Sequence, residues 1–371
     1  MIEACELAPA WIRSFAAYVP GKPASELARE MGLPESSIVK LASNENPLGP
    51  SERVLEAMQA TLADIARYPD GNGYDLKQAI AGKFGVDMGQ IVLGNGSNDV
   101  LELVARTFLA PGSSAVYSRH AFAVYALSVQ SVGATHIETP AKDFAHDLDV
   151  MAAAVRDDTR IVFIANPNNP TGTFLPGGEL RAFLKRVPPR VIVVLDEAYT
   201  EYLDAADRYD SISWLREYPN LIVTRTFSKA YGLAGMRVGF ALAHRDVADL
   251  MNRVRQPFNV NSVAQAGAIA ALADDDYVAR SRSLNSEGMA CIVAGLADMG
   301  VQHIPSRGNF LCVRVGPAAE VYQKLLRLGV IVRPVGGYAM PEWLRVSVGL
   351  PAENDRFLAA LGEVMGGGRH R

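Results

Sequence analysis

The chain has 371 residues, of which 49% are hydrophobic and 20% are charged, and its formal net charge at pH 7 is −4. This length exceeds what one hydrophobic core usually organises, so we expect about two domains. The slightly acidic balance argues against a nucleic-acid-binding surface, and no stretch reaches the roughly 18–20 apolar residues that span a bilayer.

Helix-like and strand-like segments alternate along the first two thirds of the chain. Residues 1–45, with four prolines, predict an N-terminal arm that joins part of a smaller domain. The segment SERVLEAMQATLADIARY opens with a serine suited to a helix N-cap, and GYDLKQAIAGKFG predicts a helix closed by glycine. Then follow IVLG, SNDVLELVARTFLA, SSAVYS and AVYALSVQSVG, which predict strand, helix, strand and helix.

Three apolar runs come next: RIVFIAN (160–166), RVIVVLD (190–196) and NLIVTRT (220–226). They are rich in β-branched residues and lack polar alternation, as is typical of strands buried on both faces. Helical segments separate them, which favours a mostly parallel sheet with helical crossovers. We therefore predict an α/β protein whose large domain, residues 46–255, has a mostly parallel sheet flanked by helices.

The pattern changes after about residue 255. A long alanine-rich helical region at about 261–300 leads to FLCVRV, the helix AAEVYQKLLRLG, IVRPV and LRVSVG. These segments predict a smaller α+β domain over residues 256–371.

Polar side chains follow the three apolar runs at equivalent positions. The first run leads into NPNNPTG with Asn169, the second ends at Asp196 of DEAY, and the third is followed by Lys229 in TFSK. Because ligands of open parallel sheets bind beyond the carboxyl ends of the strands, we expect these three side chains to share one site.

An amine, a carboxylate and an amide together suit pyridoxal phosphate. An unprotonated lysine forms a Schiff base with an aldehyde, so Lys229 is the candidate for that link. A carboxylate at Asp196 would keep the pyridine nitrogen protonated and make the ring an electron sink. Tyr199 and Asn169 could donate hydrogen bonds to the phenolic oxygen of the ring.

The cofactor's phosphate also needs a binding site. Gly96, Ser97 and Asn98 precede or open a predicted helix, whose free N–H groups and dipole favour an anion. Ser228 and Arg237 are candidates to complete the site, with a charge-assisted hydrogen bond from the guanidinium.

The motifs SRHAFAVY, NPNNPTG, DEAY and TFSKAYGLAGMRVG resemble those of the fold-type-I PLP-dependent aminotransferases. The likeness is greatest to the histidinol-phosphate aminotransferase family and runs from YVPGKP and LASNENPLGP to LRVSVG. It implies that Lys229 links the cofactor and moves the substrate proton, and that Asp196, Asn169 and Tyr199 hold the ring. It also implies phosphate binding by Ser97, Asn98, Ser228 and Arg237.

Two further positions matter in this resemblance. Tyr68, in RYPDGNGY, resembles the tyrosine that reaches the phosphate in the other subunit, which implies a homodimer with shared sites. Phe122 falls where many relatives carry a tyrosine that stacks on the cofactor. Stacking survives that change, whereas any polar role of the hydroxyl is lost.

The substrate side of the site is described by a second set of residues. Arg345 in LRVSVG matches the arginine that grips the substrate's carboxylate or phosphate, and Arg333 in VIVRPVGGY is a second candidate contact. Asn44, Tyr18 and Tyr338 are candidates to line the mouth of the pocket.

The resemblance implies three candidate reactions, of which we expect the first. The first is transamination between histidinol phosphate and 2-oxoglutarate, a step of histidine biosynthesis. The second is transamination of phenylalanine or tyrosine, because a ring plus an anion describes both kinds of substrate. The third is a lyase that resembles threonine-phosphate decarboxylase. A ligand sensor fused to a DNA-binding module is disfavoured, since no helix-turn-helix precedes the domain and the chain is acidic.

The cysteines and histidines do not suggest another kind of site. Cys5, Cys291 and Cys312 are widely spaced, without a CxxC pair, and the six histidines lack ligand spacing, so we expect no metal site. The N-terminus does not resemble a secretory signal. We therefore expect a cytoplasmic protein.

Overall fold

A seven-stranded sheet forms the centre of the computed structural model, which describes residues 4–15, 17 and 20–366. The strands of the described residues are β1 (Val39–Lys40), β2 (Ile91–Gly94), β3 (Ser114–Ser118), β4 (Thr135–Thr139), β5 (Ala141–Lys142), β6 (Ala145–His146), β7 (Thr159–Ala165), β8 (Ile192–Asp196), β9 (Leu221–Thr226), β10 (Gly239–Ala243), β11 (His303–Ile304), β12 (Phe310–Arg314), β13 (Val330–Ile331), β14 (Arg333–Pro334) and β15 (Trp343–Ser347).

Helices cover both faces of this sheet and connect its strands. Those in the described part of the chain are α1 (Ala10–Arg13), α2 (Ala24–Met31), α3 (Glu52–Thr61), α4 (Tyr74–Phe84), α5 (Ser97–Phe108), α6 (Ala123–Ser131), α7 (Leu148–Ala153), α8 (Gly177–Arg186), α9 (Arg245–Val254), α10 (Ser262–Leu272), α11 (Asp275–Asp298), α12 (Ala318–Arg327) and α13 (Pro351–Gly366). Of these described helices, none is both long enough and apolar enough to cross a membrane.

The strand order in the large sheet is β2-β10-β9-β8-β7-β3-β4. Strand β10 is antiparallel to β2 and β9, and the other neighbouring strands run parallel. The prediction of a mostly parallel sheet flanked by helices is therefore confirmed. Since β2 and β9 both oppose β10, β2 points the same way as the parallel strands, and its carboxyl end lies at the same edge.

The three apolar runs form adjacent strands β7, β8 and β9, within two residues of the predicted bounds. Alternate side chains of these strands enter two different hydrophobic clusters. In β7, for example, Val162 and Ile164 pack in one cluster, whereas Ile161 and Phe163 pack in the other. Because both faces are covered, an unbroken apolar run is what such a strand requires.

Helix boundaries follow the local sequence signals. The Ser51 side chain accepts a hydrogen bond from the Val54 backbone N–H and caps α3, as predicted. Gly85, with a φ of 65°, ends α4 in the left-handed conformation.

The predicted helical region at 261–300 consists of two helices. Helix α10 ends at Leu272 and α11 starts at Asp275. Asp274 lies between them, and its carboxylate accepts the backbone N–H of Tyr277. Such a cap starts a new helix and competes with continuation of the preceding one.

The C-terminal part of the chain builds an antiparallel sheet in the order β11-β12-β15-β14. Helices α12 and α13 pack with this sheet and α11 around their own core. Strand β1, from the N-terminal arm, pairs in parallel with β13 in this region. The described structure thus contains the additional smaller α+β unit that the sequence predicted.

The packing of α10 bears on the boundary predicted between residues 255 and 256. Ala264, Ala268 and Leu272 belong to the same hydrophobic cluster as the large sheet. We therefore propose that the large domain extends through α10. The pairing of β1 with β13 supports the proposal that residues 1–45 contribute to the small domain.

Candidate active site

The carboxyl edge of the large sheet opens into a cavity that also reaches the small domain. Strand β8 ends at Asp196, Lys229 lies three residues beyond β9, and the loop after β7 carries Asn169. The predicted residues that line the cavity are Asn44, Ser97, Asn98, Phe122, Asn169, Asp196, Tyr199, Ser228, Lys229, Arg237, Arg333, Tyr338 and Arg345. Parallel strand direction explains why residues so distant in sequence meet here.

Lys229 lies at the centre of this group and is partly buried. Its Nζ donates to the Ser43 carbonyl at 3.0 Å and lies 5.7 Å from the centre of the Tyr199 ring. Burial, followed by the positive charge of Arg345, lowers the pKa of Lys229 to about 7. A large share of this amine is therefore neutral near pH 7 and available as a nucleophile.

Asp196 is buried, with 5% of its surface exposed. Its Oδ2 accepts from the Tyr125 hydroxyl and its Oδ1 from the Thr224 hydroxyl, each at 2.8 Å. Burial raises the pKa of Asp196, and these two hydrogen bonds act in the opposite direction. The carboxylate is thus held in one orientation at the end of β8.

Tyr199 and Asn169 are each held by one further residue. The Asn44 side-chain amide donates to the Tyr199 hydroxyl at 3.0 Å, and burial raises the pKa of Tyr199 to about 12. Tyr199 therefore remains a hydrogen-bond donor at neutral pH. Arg345 donates from Nη1 to Asn169 Oδ1 at 2.5 Å. The N–H groups of the Asn169 side-chain amide take no part in this hydrogen bond.

Arg237 returns to the site because the chain reverses direction after Lys229. Gly239 in β10 pairs with Thr226 in β9, so the loop between them places Arg237 beside Ser228. The Arg237 guanidinium donates to Ser228 Oγ at 3.3 Å and to the Ala234 carbonyl at 3.0 Å.

Gly96 lies behind this guanidinium and does not line the cavity itself. Its φ is 84°, and a side chain at this position would collide with Arg237. Helix α5 begins at the next residue, so the cavity contains Ser97, Asn98 and the positive end of a helix.

Charge in the cavity is strongly unbalanced. Three arginines, Arg237, Arg333 and Arg345, and the partly protonated amine of Lys229 line it, against a single carboxylate, Asp196. Such a field favours ligands that carry several negative charges.

One predicted residue lies away from the cavity, and another falls outside the described part of the chain. Tyr68 is outside the cavity and 83% exposed, with its ring stacked on Phe258 at 4.8 Å between centroids. Tyr18 is not among the described residues. Phe122 does line the cavity, and its ring meets that of Tyr125 edge-on at 5.9 Å.

Sequence reasoning missed three residues at this site: Ser43, Tyr125 and Thr224. Tyr125 follows Phe122 by three positions on a helical segment, a spacing that puts both on one face and could have been noticed. Thr224 pairs with Asp196 in the β8–β9 register, and Ser43 meets Lys229 across the fold. Neither relation is readable from sequence, since register and long-range contacts are set by packing.

Within the described part of the chain, no group of three or more histidine, cysteine, aspartate or glutamate side chains could hold a metal ion.

Comparison with known proteins places this geometry in a family. The family model of aminotransferase class I and II matches residues 36–361. The chain belongs to the class I and II aminotransferases. This aminotransferase is 61% identical over 365 residues to histidinol-phosphate aminotransferase 1 of Thiobacillus denitrificans, covering 98% of this chain and 95% of the relative.

Two solved structures are also similar to this aminotransferase. Histidinol-phosphate aminotransferase of Sinorhizobium meliloti, in complex with pyridoxal 5'-phosphate, has a TM-score of 0.89 at 32% identity and covers 96% of this chain and 97% of its own. L-threonine-O-3-phosphate decarboxylase of Porphyromonas gingivalis has a TM-score of 0.78 at 24% identity and covers 87% of this chain and 98% of its own. The latter likeness shows a shared fold only.

Proposed function

We propose that this aminotransferase transfers the amino group between histidinol phosphate and 2-oxoglutarate, with pyridoxal phosphate as its cofactor, in histidine biosynthesis. The observation that carries the proposal is the cavity in which Lys229 and Asp196 lie among three arginines. Near-full-length relatives at 61% identity that are histidinol-phosphate aminotransferases support the same reaction.

The residues present fit pyridoxal phosphate. Arg237, Ser228, Ser97 and Asn98 surround a space at the start of α5 that suits a phosphate, and Gly96 is the residue that leaves room for the Arg237 guanidinium. Asp196 offers a buried carboxylate to a ring nitrogen. When bound, the cofactor supplies an aldehyde for the lysine and a conjugated ring that takes up electrons from the substrate carbon.

Each side chain then has a task set by its chemistry. Lys229, of which a large share is neutral near pH 7, would supply the amine that bonds to the aldehyde and the base that moves the proton of the substrate carbon. Asp196 would keep the proton on the ring nitrogen. Tyr199 and Asn169 would donate to the phenolic oxygen, and Phe122 would pack against the ring face.

The anionic ends of the two substrates fit the remaining cations. Arg345 is 7% exposed, and its Nη1 and Nη2 are bonded to Asn169 Oδ1 and the Ala42 carbonyl, while its Nε has no hydrogen-bond partner. We propose that Arg345 binds the carboxylate or phosphate of the substrate and that Arg333 is a second contact for the same anionic group. Tyr338, Asn44 and Tyr18 complete the mouth of the pocket in this proposal.

A half-reaction screen tests the substrate. The pyridoxal phosphate form is mixed in turn with histidinol phosphate, phenylalanine, tyrosine and threonine phosphate, and its conversion to the amine form is followed by absorbance. We expect histidinol phosphate to convert it faster than phenylalanine or tyrosine, because its phosphate meets the cationic wall of the cavity. Faster conversion by phenylalanine or tyrosine would contradict the proposal, as would carbon dioxide release from threonine phosphate.

We further propose that the protein is a homodimer in which Tyr68 reaches the phosphate in its partner's site. Exposed apolar side chains support this proposal, since such side chains are common at protein interfaces. Tyr68 stacks on the exposed Phe258 ring, and further exposed apolar side chains close to Tyr68 in sequence are Leu55, Leu62, Ile65 and Tyr74.

Mixed dimers test the shared site. Lys229→Ala and Tyr68→Ala variants, each poorly active, are unfolded together and refolded as a mixture. A mixed dimer has one site with both residues intact, so random pairing should restore about a quarter of wild-type activity at limiting cofactor. The matched control refolds each variant alone. If the mixture is no more active than the average of the controls, Tyr68 acts within its own subunit or not at all.

A cytoplasmic location is also proposed, and the few, widely spaced cysteines support it.

A further inference from the structure

The Asp196 carboxylate has about half of its acceptor capacity occupied by the protein. A carboxylate offers about four lone-pair positions. Tyr125 donates to Oδ2 and Thr224 to Oδ1, each at 2.8 Å. Each oxygen therefore keeps about one position for a group in the cavity that Asp196 lines.

The two hydroxyls come from different elements and are themselves rigidly held. Tyr125 is fully buried on α6, and its ring stacks on Phe163 at 4.8 Å with planes 9° apart. Thr224 is fully buried on β9, directly opposite Asp196 in the strand register. Neither of these two hydroxyl-bearing residues lines the cavity, so neither is needed to contact a ligand.

We propose that Tyr125 and Thr224 are positioning residues that keep the Asp196 carboxylate ionised and aim one of its remaining acceptor positions at the ring nitrogen of the bound cofactor. This inference rests on the proposed cofactor but not on the identity of the amino donor.

The electrostatics of the surroundings explain why two donors are needed. Burial raises the pKa of Asp196, and the adjacent negative charge of Glu197 raises it further. Glu197 is itself buried and paired with Arg225 at 2.6 Å. Tyr125 and Tyr199 also interact with Asp196, and burial raises the pKa of both, so both stay neutral donors. On the cavity side, Asp196 shares its surroundings with Lys229 and three arginines. The two hydroxyls are thus the side-chain groups that oppose protonation of this carboxylate.

The test uses Tyr125→Phe and Thr224→Val, which remove one hydroxyl each and keep the ring or the branched shape. Thr224→Ser restores the hydroxyl and serves as the rescue variant. Tyr117→Phe is the matched control, because Tyr117 is also a buried tyrosine but its hydroxyl is hydrogen-bonded to His136 Nδ1 instead of Asp196. Thermal melting of each variant checks that the chain is folded.

Binding to the cofactor-free full-length protein is measured across pH with two ligands. One is pyridoxamine phosphate, and the other is its analogue with carbon in place of the ring nitrogen. Asp196 must be ionised to accept the ring N–H, so affinity for pyridoxamine phosphate falls as pH drops through the pKa of Asp196. Losing one hydroxyl raises that pKa and moves the midpoint upward by about one pH unit, with about tenfold weaker binding below it.

The carbon analogue separates positioning from packing. We expect its affinity to be unchanged in Tyr125→Phe and Thr224→Val, and we expect Thr224→Ser and Tyr117→Phe to bind both ligands like wild type. Equal weakening of both ligands would overturn the proposal, because it would mean a general loss of structure. An unshifted midpoint for pyridoxamine phosphate would overturn it as well. Since no amino donor is present, the outcome is independent of the substrate screen.

Discussion

Replacing Lys229 with alanine is expected to abolish transamination. The variant loses both the amine that attacks the cofactor aldehyde and the group that moves the substrate proton, so turnover should fall by more than about 10⁴-fold. The visible absorbance of lysine-bound cofactor should vanish too, and borohydride should leave no cofactor on the chain. Turnover, absorbance and the mass of the reduced protein are the measurements.

A matched control separates this loss from a general effect of removing a lysine. Lys185 is exposed on α8, away from the cavity, and Lys185→Ala should remain active. Near-normal turnover in the Lys229 variant would refute the central role of this residue.

In the wild-type protein, the role of Lys229 also predicts how the rate of cofactor uptake depends on pH. Only the neutral amine attacks the aldehyde, so cofactor uptake should slow as pH falls through the pKa of Lys229. With that pKa lowered to about 7 by burial and by Arg345, the midpoint should lie near 7. A midpoint near the ordinary lysine value of 10.5 would show that the amine is not desolvated in this way.

Asp196→Asn is expected to have the second largest effect. The amide keeps the size of the side chain but carries no negative charge, so it cannot hold a proton on the ring nitrogen. Cofactor should still bind through Lys229 and the phosphate contacts, while turnover falls by about 10³-fold, a magnitude typical of losing one preorganised electrostatic contact. Cofactor content by absorbance and turnover in a coupled assay are measured on the same preparation.

The control for this variant is Asp246→Asn, which removes an exposed carboxylate on α9 and should leave turnover unchanged. A preparation of Asp196→Asn with full cofactor content and unimpaired turnover would contradict the role assigned to this carboxylate. Loss of cofactor together with loss of fold would be detected by thermal melting.

The two replacements are expected to fail in different ways because the residues act on opposite ends of the conjugated system. In the proposed mechanism, Lys229 would act at the aldehyde carbon and the substrate carbon, whereas Asp196 would act at the ring nitrogen. The large sheet holds them in this relation, since β8 and β9 are neighbouring parallel strands with Asp196 opposite Thr224.

The strand assignments were predictable because buried parallel strands leave a strong signature. Residues 160–166, 190–196 and 220–226 are apolar without interruption, since their alternate side chains enter two separate clusters. The ends of such strands could then be aligned, and the lysine, aspartate and asparagine that follow them do line one cavity.

Two kinds of feature were less predictable. One depends on whether a side chain caps a new helix or the preceding helix continues, and the other depends on packing between segments distant in sequence. The break between α10 and α11 depends on Asp274 capping a new helix in a region whose composition favours a continuous one. The packing of α10 against the large sheet shifts the proposed domain boundary. The sequence of an alanine-rich helix does not indicate which hydrophobic core the helix packs against.

The sequence by itself determined the α/β class, the parallel sheet and the identity of the residues at its carboxyl edge, because hydrophobic periodicity and motif spacing are local properties of the chain. Only the tertiary structure decided the hydrogen-bond partners, the burial and the pKa values of these residues. The donors to Asp196, the Asn44 contact of Tyr199 and the burial that brings the pKa of Lys229 to about 7 all join segments far apart in sequence. Such contacts arise from strand register and from the packing of helices on the sheet, which no local pattern encodes.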